Sequence, residues 1–248
     1  MTGRLKGCRA LVVGASAGIG RSIATVLSRE GADVAVAARR LSQLESLSSE
    51  LDGVALPVEL DVRDEGSCQR GVAVALDRLG GLDALVFAVG TAPLVALRDA
   101  DAERWRDAFE TNVVGAALVT RAAVDALSAS RGRAIYLSSI AASEHPPRSG
   151  IALYVATKSA LEKLVTLWQV EHRNIGFTRV SVGDTRETEM AAGWDPAAGA
   201  EHVGRWVSEG RLFGRAMEPE TVGRHVADLL ASSETVPVSS ITPRYAAD

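Results

Sequence analysis

Val13-Gly14-Ala15-Ser16-Ala17-Gly18-Ile19-Gly20 decides how the rest of the chain is read. An apolar run, residues 10–13, precedes it, and a helical pattern, residues 19–30, follows it. In that setting Gly14 permits a tight turn, Gly18 lets a pyrophosphate approach the backbone, and Gly20 lets a helix pack closely on a sheet. The helix start then faces the phosphates with uncommitted N–H groups and a partial positive charge. A glycine triplet also fits a plain strand-to-helix turn. Its place between strand and helix favours a dinucleotide cradle, with Gly14, Ser16, Gly18, Ile19 and Gly20 as the contacts.

Outward from the turn, short apolar runs alternate with longer helical patterns. Residues 10–13, 33–37, 55–59, 84–88, 134–137 and 178–182 read as buried parallel strands. Residues 19–30, 41–51, 65–79, 102–128 and 153–172 read as helices between them. This rhythm predicts an α/β fold with a doubly wound parallel sheet in three layers, helices covering both faces. No linker, low-complexity tract or repeat interrupts it, so a single domain over residues 1–248 is expected. From residue 183 to 217 the texture changes, mixing Gly193, Gly199, Gly204 and Gly210 with Trp194 and Trp206. Residues 184–217 fit a substrate lid, and equally a helical insertion with ordinary packing.

The bulk numbers exclude several classes. Hydrophobic residues make up 47% of 248, enough for a large core, and the net charge of −4 gives no basic footprint for nucleic acid. Arginines are scattered, no apolar run approaches a membrane span, and no secretory core follows the polar start, so no membrane partner is expected. Cys8 and Cys68 make neither a metal motif nor a disulfide framework. A reducing, cytoplasmic setting and no metal site are the simplest expectations.

Two further stretches carry chemistry. The second strand ends Ala37-Ala38-Arg39-Arg40, without the acid that would accept hydrogen bonds from an NAD ribose. Arginine there would instead pair with a 2′-phosphate, which favours NADP(H). Asp61-Val62, after the third strand, is placed to hold an adenine edge, although an acid often ends a strand without function. In Tyr154-Val155-Ala156-Thr157-Lys158, phenol and ammonium fall four residues apart, on one face of a helix. A cation beside a phenol lowers a pKa of about 10, making the tyrosine a candidate proton donor and acceptor at a carbonyl or alcohol oxygen. Taken alone, that spacing also fits an amphipathic helix edge with a solvated lysine.

With the glycine turn, Ser139, Tyr154 and Lys158 in this order, the chain resembles the short-chain dehydrogenase/reductase family over essentially all its length. The resemblance implies hydride transfer between nicotinamide and a small-molecule carbonyl or alcohol. It makes Tyr154 the general acid/base and Lys158 its partner, with both also holding the nicotinamide ribose. Ser139, rather than Ser138, would hydrogen-bond the substrate oxygen. Asn112 would support a proton-relay water near the lysine. Arg39 matches the arginine of NADP-preferring members, Asp61 and Val62 the adenine contacts, and Gly90 a retained glycine beside the cofactor. Thr188 matches the nicotinamide contact, with Thr185 as rival. A homodimer or homotetramer, formed through the helices at 102–128 and 153–172, is likewise implied.

The chain also departs from the family pattern. Val13 replaces a threonine, Phe87-Ala88-Val89-Gly90 replaces Asn-Asn-Ala-Gly, and Val182-Gly183 replaces Pro-Gly. The second change removes a hydrogen bond that braces the sheet beside the cofactor. The C-terminal stretch reads as a short edge strand before proline. The altered positions leave room for a non-catalytic NADP-binding sensor, and the same fold would serve a metal-free epimerase or dehydratase. The loop at 141–151 and the segment at 184–217 are expected to line the substrate pocket. His145 and Arg148 in that loop read as ordinary loop residues in preference to contacts for an anionic substrate.

Overall fold

The computed structural model describes residues 3–143, 147–186, 188–212 and 215–243. Its strands are β1 (Arg9–Val13), β2 (Asp33–Ala38), β3 (Ala55–Glu59), β4 (Ala84–Phe87), β5 (Arg133–Ser139), β6 (Gly176–Val182) and β7 (Val238–Ile241). They form one parallel sheet in the order β3-β2-β1-β4-β5-β6-β7. The inner strands are apolar on both sides because helices cover both faces. Residues Ala10 and Val12 of β1 enter one core, and Leu11 and Val13 enter the other.

Helices α1 (Gly18–Arg29), α2 (Leu41–Glu50) and α8 (Pro219–Ala231) cover the first face. Helices α3 (Glu65–Leu79), α5 (Gly115–Ser130) and α6 (Ala152–Glu171) cover the second. Between β1 and β4 the strand order reverses, since the chain steps outward to β2 and β3 on one side and to β5, β6 and β7 on the other. Such a reversal opens a crevice at the C-terminal strand ends.

The structure revises several sequence expectations. The helix read at 102–128 is a rod in three parts: α4 (Ala102–Phe109), a π turn (Glu110–Val114) and α5. This rod, Ala102–Ser130, is long and apolar enough by composition to cross a membrane, contrary to the expectation that no run approaches that length. Its apolar side is used at the sheet, where Ala116, Val119, Ala123 and Leu127 are buried. Within residues 184–217 the helical-insertion alternative is met by one helix, α7 (Pro196–Ser208), and a further helix, α8, was not anticipated. In α7 Asp195 caps the Ala198 N–H at 2.8 Å, and both α7 and α8 start with proline, whose fixed φ suits the first turn. The expected edge strand is β7, which pairs with β6 and is followed by Pro243.

Phe87 is where the sheet lacks the hydrogen-bonding side chain of the family pattern. The ring is fully buried and lies 6.3 Å from Tyr136, which lies 6.4 Å from Phe177, itself 6.5 Å from Trp168 of α6. An aromatic file thus runs across β4, β5 and β6 to α6, bracing by apolar packing the region the asparagine would brace by polarity. Phe87→Ala is expected to cost about 3–5 kcal/mol through the cavity it leaves, read as a lowered urea midpoint.

Candidate active site

The glycine turn has the geometry its sequence demands. Gly14 sits at φ +92°, where a Cβ would come within 3.0 Å of the backbone at Ala88 and Val89. A Cβ on Gly20 would lie 2.2 Å from the Gly14 carbonyl oxygen, so only glycine lets α1 pack this closely against the turn. Gly18, at φ +54°, opens α1, whose N-cap Ala17 offers no side-chain acceptor to the first N–H groups. That leaves donors and the positive helix end facing the cleft, which is what a phosphate requires. Ser16, Gly18, Ile19 and Gly20 line it, as do Asp61, Val62 and Gly90. The cleft holds ≈ 780 Å³.

The two arginines after β2 have different surroundings. Arg40 donates to both carboxylate oxygens of Glu189 at 2.8 and 2.6 Å and to Ser16 Oγ at 2.7 Å. Arg39 is exposed at the cleft and has no hydrogen bond or ion pair among the described residues. Asp61 Oδ1 accepts the Arg63 N–H at 3.0 Å, and Val62 packs against Gly115, where a Cβ would come within 2.8 Å of it.

At the other end of the cleft, strand alternation separates the serine pair. Both serines border the cleft, but Ser138 is committed to Glu162 Oε1 of α6, to which it donates at 2.8 Å, whereas Ser139 lies with Tyr154. Glu162 also pairs with Arg179 and so clamps α6 to β6. On α6, Lys158 is buried at 3% exposure and donates to the Leu137 carbonyl at 2.8 Å. Its ammonium stands 5.7 Å from the centre of the Tyr154 ring. Burial pulls the Lys158 pKa down to about 8. Burial also raises the Tyr154 phenol, with the Ser139 hydroxyl and then the Arg148 charge acting in the opposite direction.

Asn112 lies in the π turn and is fully buried. Its Oδ1 accepts the Thr91 N–H at 2.8 Å, and its Nδ2 donates to the Thr91 carbonyl at 2.9 Å and to Thr157 Oγ1 at 2.8 Å. Thr157 in turn donates to the Tyr154 carbonyl at 2.8 Å, joining the π turn to the helix that carries the phenol. A Cβ on Gly90 would lie 3.2 Å from Lys158 Nζ, so that glycine keeps space for the ammonium. Thr185 spends its hydroxyl on the Gly183 carbonyl at 3.0 Å, whereas the Thr188 hydroxyl makes no hydrogen bond among the described residues. Both line the cleft.

Sequence reasoning missed Thr157 and the weight of Arg148. Thr157 stands inside the Tyr-to-Lys interval, three residues after Tyr154 on the same helical side, and that spacing was a usable signal. Arg148, read as an ordinary loop residue, is buried, lines the cleft and pairs with Asp184 at 2.7 Å. His145 lies outside the described residues.

Comparison with known proteins bears on the family and the fold. The short chain dehydrogenase family model matches residues 9–198. The chain is 33% identical over 207 residues to trans-4-hydroxycyclohexanecarboxylate dehydrogenase of Sinomonas cyclohexanicum, covering 79% of each. It is 30% identical over 246 residues to a glycine betaine reductase of Emericella nidulans, with 96% of this chain matched but only 19% of that longer protein spanned. Among solved structures it superposes with a TM-score of 0.76 and 26% identity on an alcohol dehydrogenase of Thermococcus sibiricus complexed with 5-hydroxy-NADP, covering 95% of this chain and 98% of that one.

The lowered Lys158 pKa has a measurable consequence. Between about 8 and 10.5 the unfolded chain binds a proton that the folded chain does not, so this group makes stability rise with pH across that window. The stability of the parent protein minus that of Lys158→Met is expected to grow by on the order of 3 kcal/mol across the window. Denaturant unfolding of both at its two ends reads the difference, and a constant difference contradicts a lowered pKa.

Proposed function

The chain belongs to the short-chain dehydrogenase/reductase family of oxidoreductases, and we propose that it interconverts a carbonyl and an alcohol on a small molecule, using NADP(H) and Tyr154 as general acid/base. One observation carries the reading: Ser139, Tyr154 and Lys158 line the same continuous cleft as the glycine turn and Arg39. A dinucleotide site and a proton-transfer site therefore share one space, whose volume falls within the range of about 300–1,000 Å³ usual for ligand pockets.

Gly14, Ser16, Gly18, Ile19 and Gly20 would hold the pyrophosphate, Asp61 and Val62 the adenine, and Thr188 the nicotinamide amide. Gly90 floors the site, and Tyr154 and Lys158 would hold the adjoining ribose. Arg39 is assigned the 2′-phosphate, because its neighbour Arg40 is already held by Glu189 and Ser16. When bound, the nicotinamide supplies or accepts the hydride. The chain's own residues manage the proton and the oxygen. Ser139 orients the substrate oxygen toward the phenol. Tyr154 gives that oxygen its proton in the reducing direction and takes it back in the oxidising direction. Burial raises the phenol's pKa, opposite to the lowering expected from the neighbouring ammonium, so the proposed proton transfer rests on the positioning of Tyr154 and Ser139 rather than on a lowered pKa. Asn112 and Thr157 act behind Lys158, fixing the helix that carries the pair. The same intact set argues against a purely sensory role.

Tyr154→Phe is expected to lower turnover about 10²–10⁴-fold, the usual weight of a positioned proton donor. Full turnover on a confirmed carbonyl substrate would remove the phenol from the mechanism. Arg39→Asp is expected to weaken NADPH binding at least about 10-fold relative to NADH, since an Arg–phosphate pair becomes a repulsion. Cofactor-fluorescence titration reads the ratio, and tighter NADH than NADPH binding by the parent protein would reverse the cofactor assignment.

A further inference from the structure

Beyond the phenol, the cleft ends where the loop before α6 meets the segment after β6, and the two are joined by a buried ion pair. Arg148 Nη1 donates to Asp184 Oδ1 at 2.7 Å and Nη2 to Oδ2 at 3.1 Å. The side chains are only 7% and 18% exposed. The guanidinium lies over Trp206, with Cζ 5.8 Å from the ring centroid. Trp206 meets Trp194 edge to face at 6.0 Å. Both indole N–H groups are committed to backbone: Trp194 donates to the Ala92 carbonyl at 2.7 Å and Trp206 to the Ser149 carbonyl at 3.0 Å. Ile151, Val203 and Leu212 add apolar wall.

This pocket contains charge but offers little of it to a ligand. A guanidinium with both terminal nitrogens on one carboxylate has spent its bidentate fork. A carboxylate on the substrate would have to displace Asp184 or lie beside it, and like charges brought together in a poorly solvated pocket cost several kcal/mol. A cationic substrate meets the same difficulty with Arg148. The indoles have no free polar edge to reward a charged or strongly polar group. An uncharged apolar body escapes all three costs, while its carbonyl reaches Ser139 and Tyr154.

We propose that Asp184 is a specificity-determining residue: by neutralising Arg148 it makes the pocket select ketones or aldehydes with uncharged apolar bodies and reject those carrying a carboxylate. This rests on the carbonyl–alcohol reading above.

The test measures kcat/KM with NADPH on matched ketone pairs sharing one skeleton, such as 4-methylcyclohexanone with 4-oxocyclohexanecarboxylate and 2-octanone with 7-oxooctanoate. The parent protein is expected to favour the neutral member of each pair by about 100-fold or more, the fold-change that a like-charge clash of several kcal/mol produces. Asp184→Asn, which removes the carboxylate that both terminal nitrogens bind, is expected to shift that ratio toward the carboxylate by at least about 10-fold. A parent protein that prefers carboxylates, or a ratio unmoved by Asp184→Asn, overturns the proposal. Should Asp184→Asn fail to fold, the double variant Arg148→Met/Asp184→Leu removes both charges together, a replacement that buried ion pairs often tolerate. It is expected to keep the neutral preference, and loss of that preference would also count against the proposal. If the folded, NADPH-binding parent protein turns over no pair, the carbonyl–alcohol reading itself fails. Tryptophan-fluorescence titration with the same pairs then reads the pocket's charge preference directly, and tighter binding of the carboxylates overturns the role of Asp184.

Discussion

A buried ammonium constrains this molecule more than any other single group. A charge taken out of water costs several kcal/mol unless the protein supplies acceptors and room. Lys158 receives an acceptor from the Leu137 carbonyl and room from Gly90, which has no side chain to fill it. Leu137 lies on β5 two residues before Ser139, so the bond that satisfies the ammonium also sets the height of α6 along β5. Tyr154, one turn earlier on α6, is thereby brought level with Ser139. The serine–tyrosine geometry is in this sense a consequence of accommodating the lysine.

Two further attachments keep that height from drifting. Glu162, one turn after Lys158, takes the Ser138 hydroxyl and the Arg179 guanidinium, tying α6 to β5 and β6. Asn112 reaches α6 through Thr157 from the opposite side. The π turn matters here because it interrupts the rod Ala102–Ser130 at Asn112, widening the helix where a buried polar side chain turns toward Thr91 and Thr157. Such turns recur at functional sites.

What could be read from the sequence was what depends on local geometry. The Gly14 turn is a backbone requirement and Tyr154 with Lys158 follows from helix periodicity, whereas the preference for Ser139 over Ser138 came from the family resemblance. Helices α7 and α8 were also legible, through Asp195-Pro196 and the apolar spacing of Val222, Val226 and Leu229, but Gly199 and Gly204 within α7 are poor helix formers and left lid and helical insertion equally open for that segment. The π turn has no residue-type signature. The Arg148–Asp184 pair joins residues 36 apart from two different connections, and only the sheet order brings those together. The difference between Arg39 and Arg40 was equally hidden, since it depends on Glu189 across the cleft.

Those two ion pairs hold the segment after β6 with unequal strength. Arg40–Glu189 is exposed, with side chains 44% and 51% accessible, and a pair of that kind contributes about 0–1 kcal/mol. Arg148–Asp184 is buried, and removing one partner there strands a charge at a cost of about 3–5 kcal/mol. The segment is therefore fixed where it borders the phenol and lightly held where it crosses toward the phosphate turn.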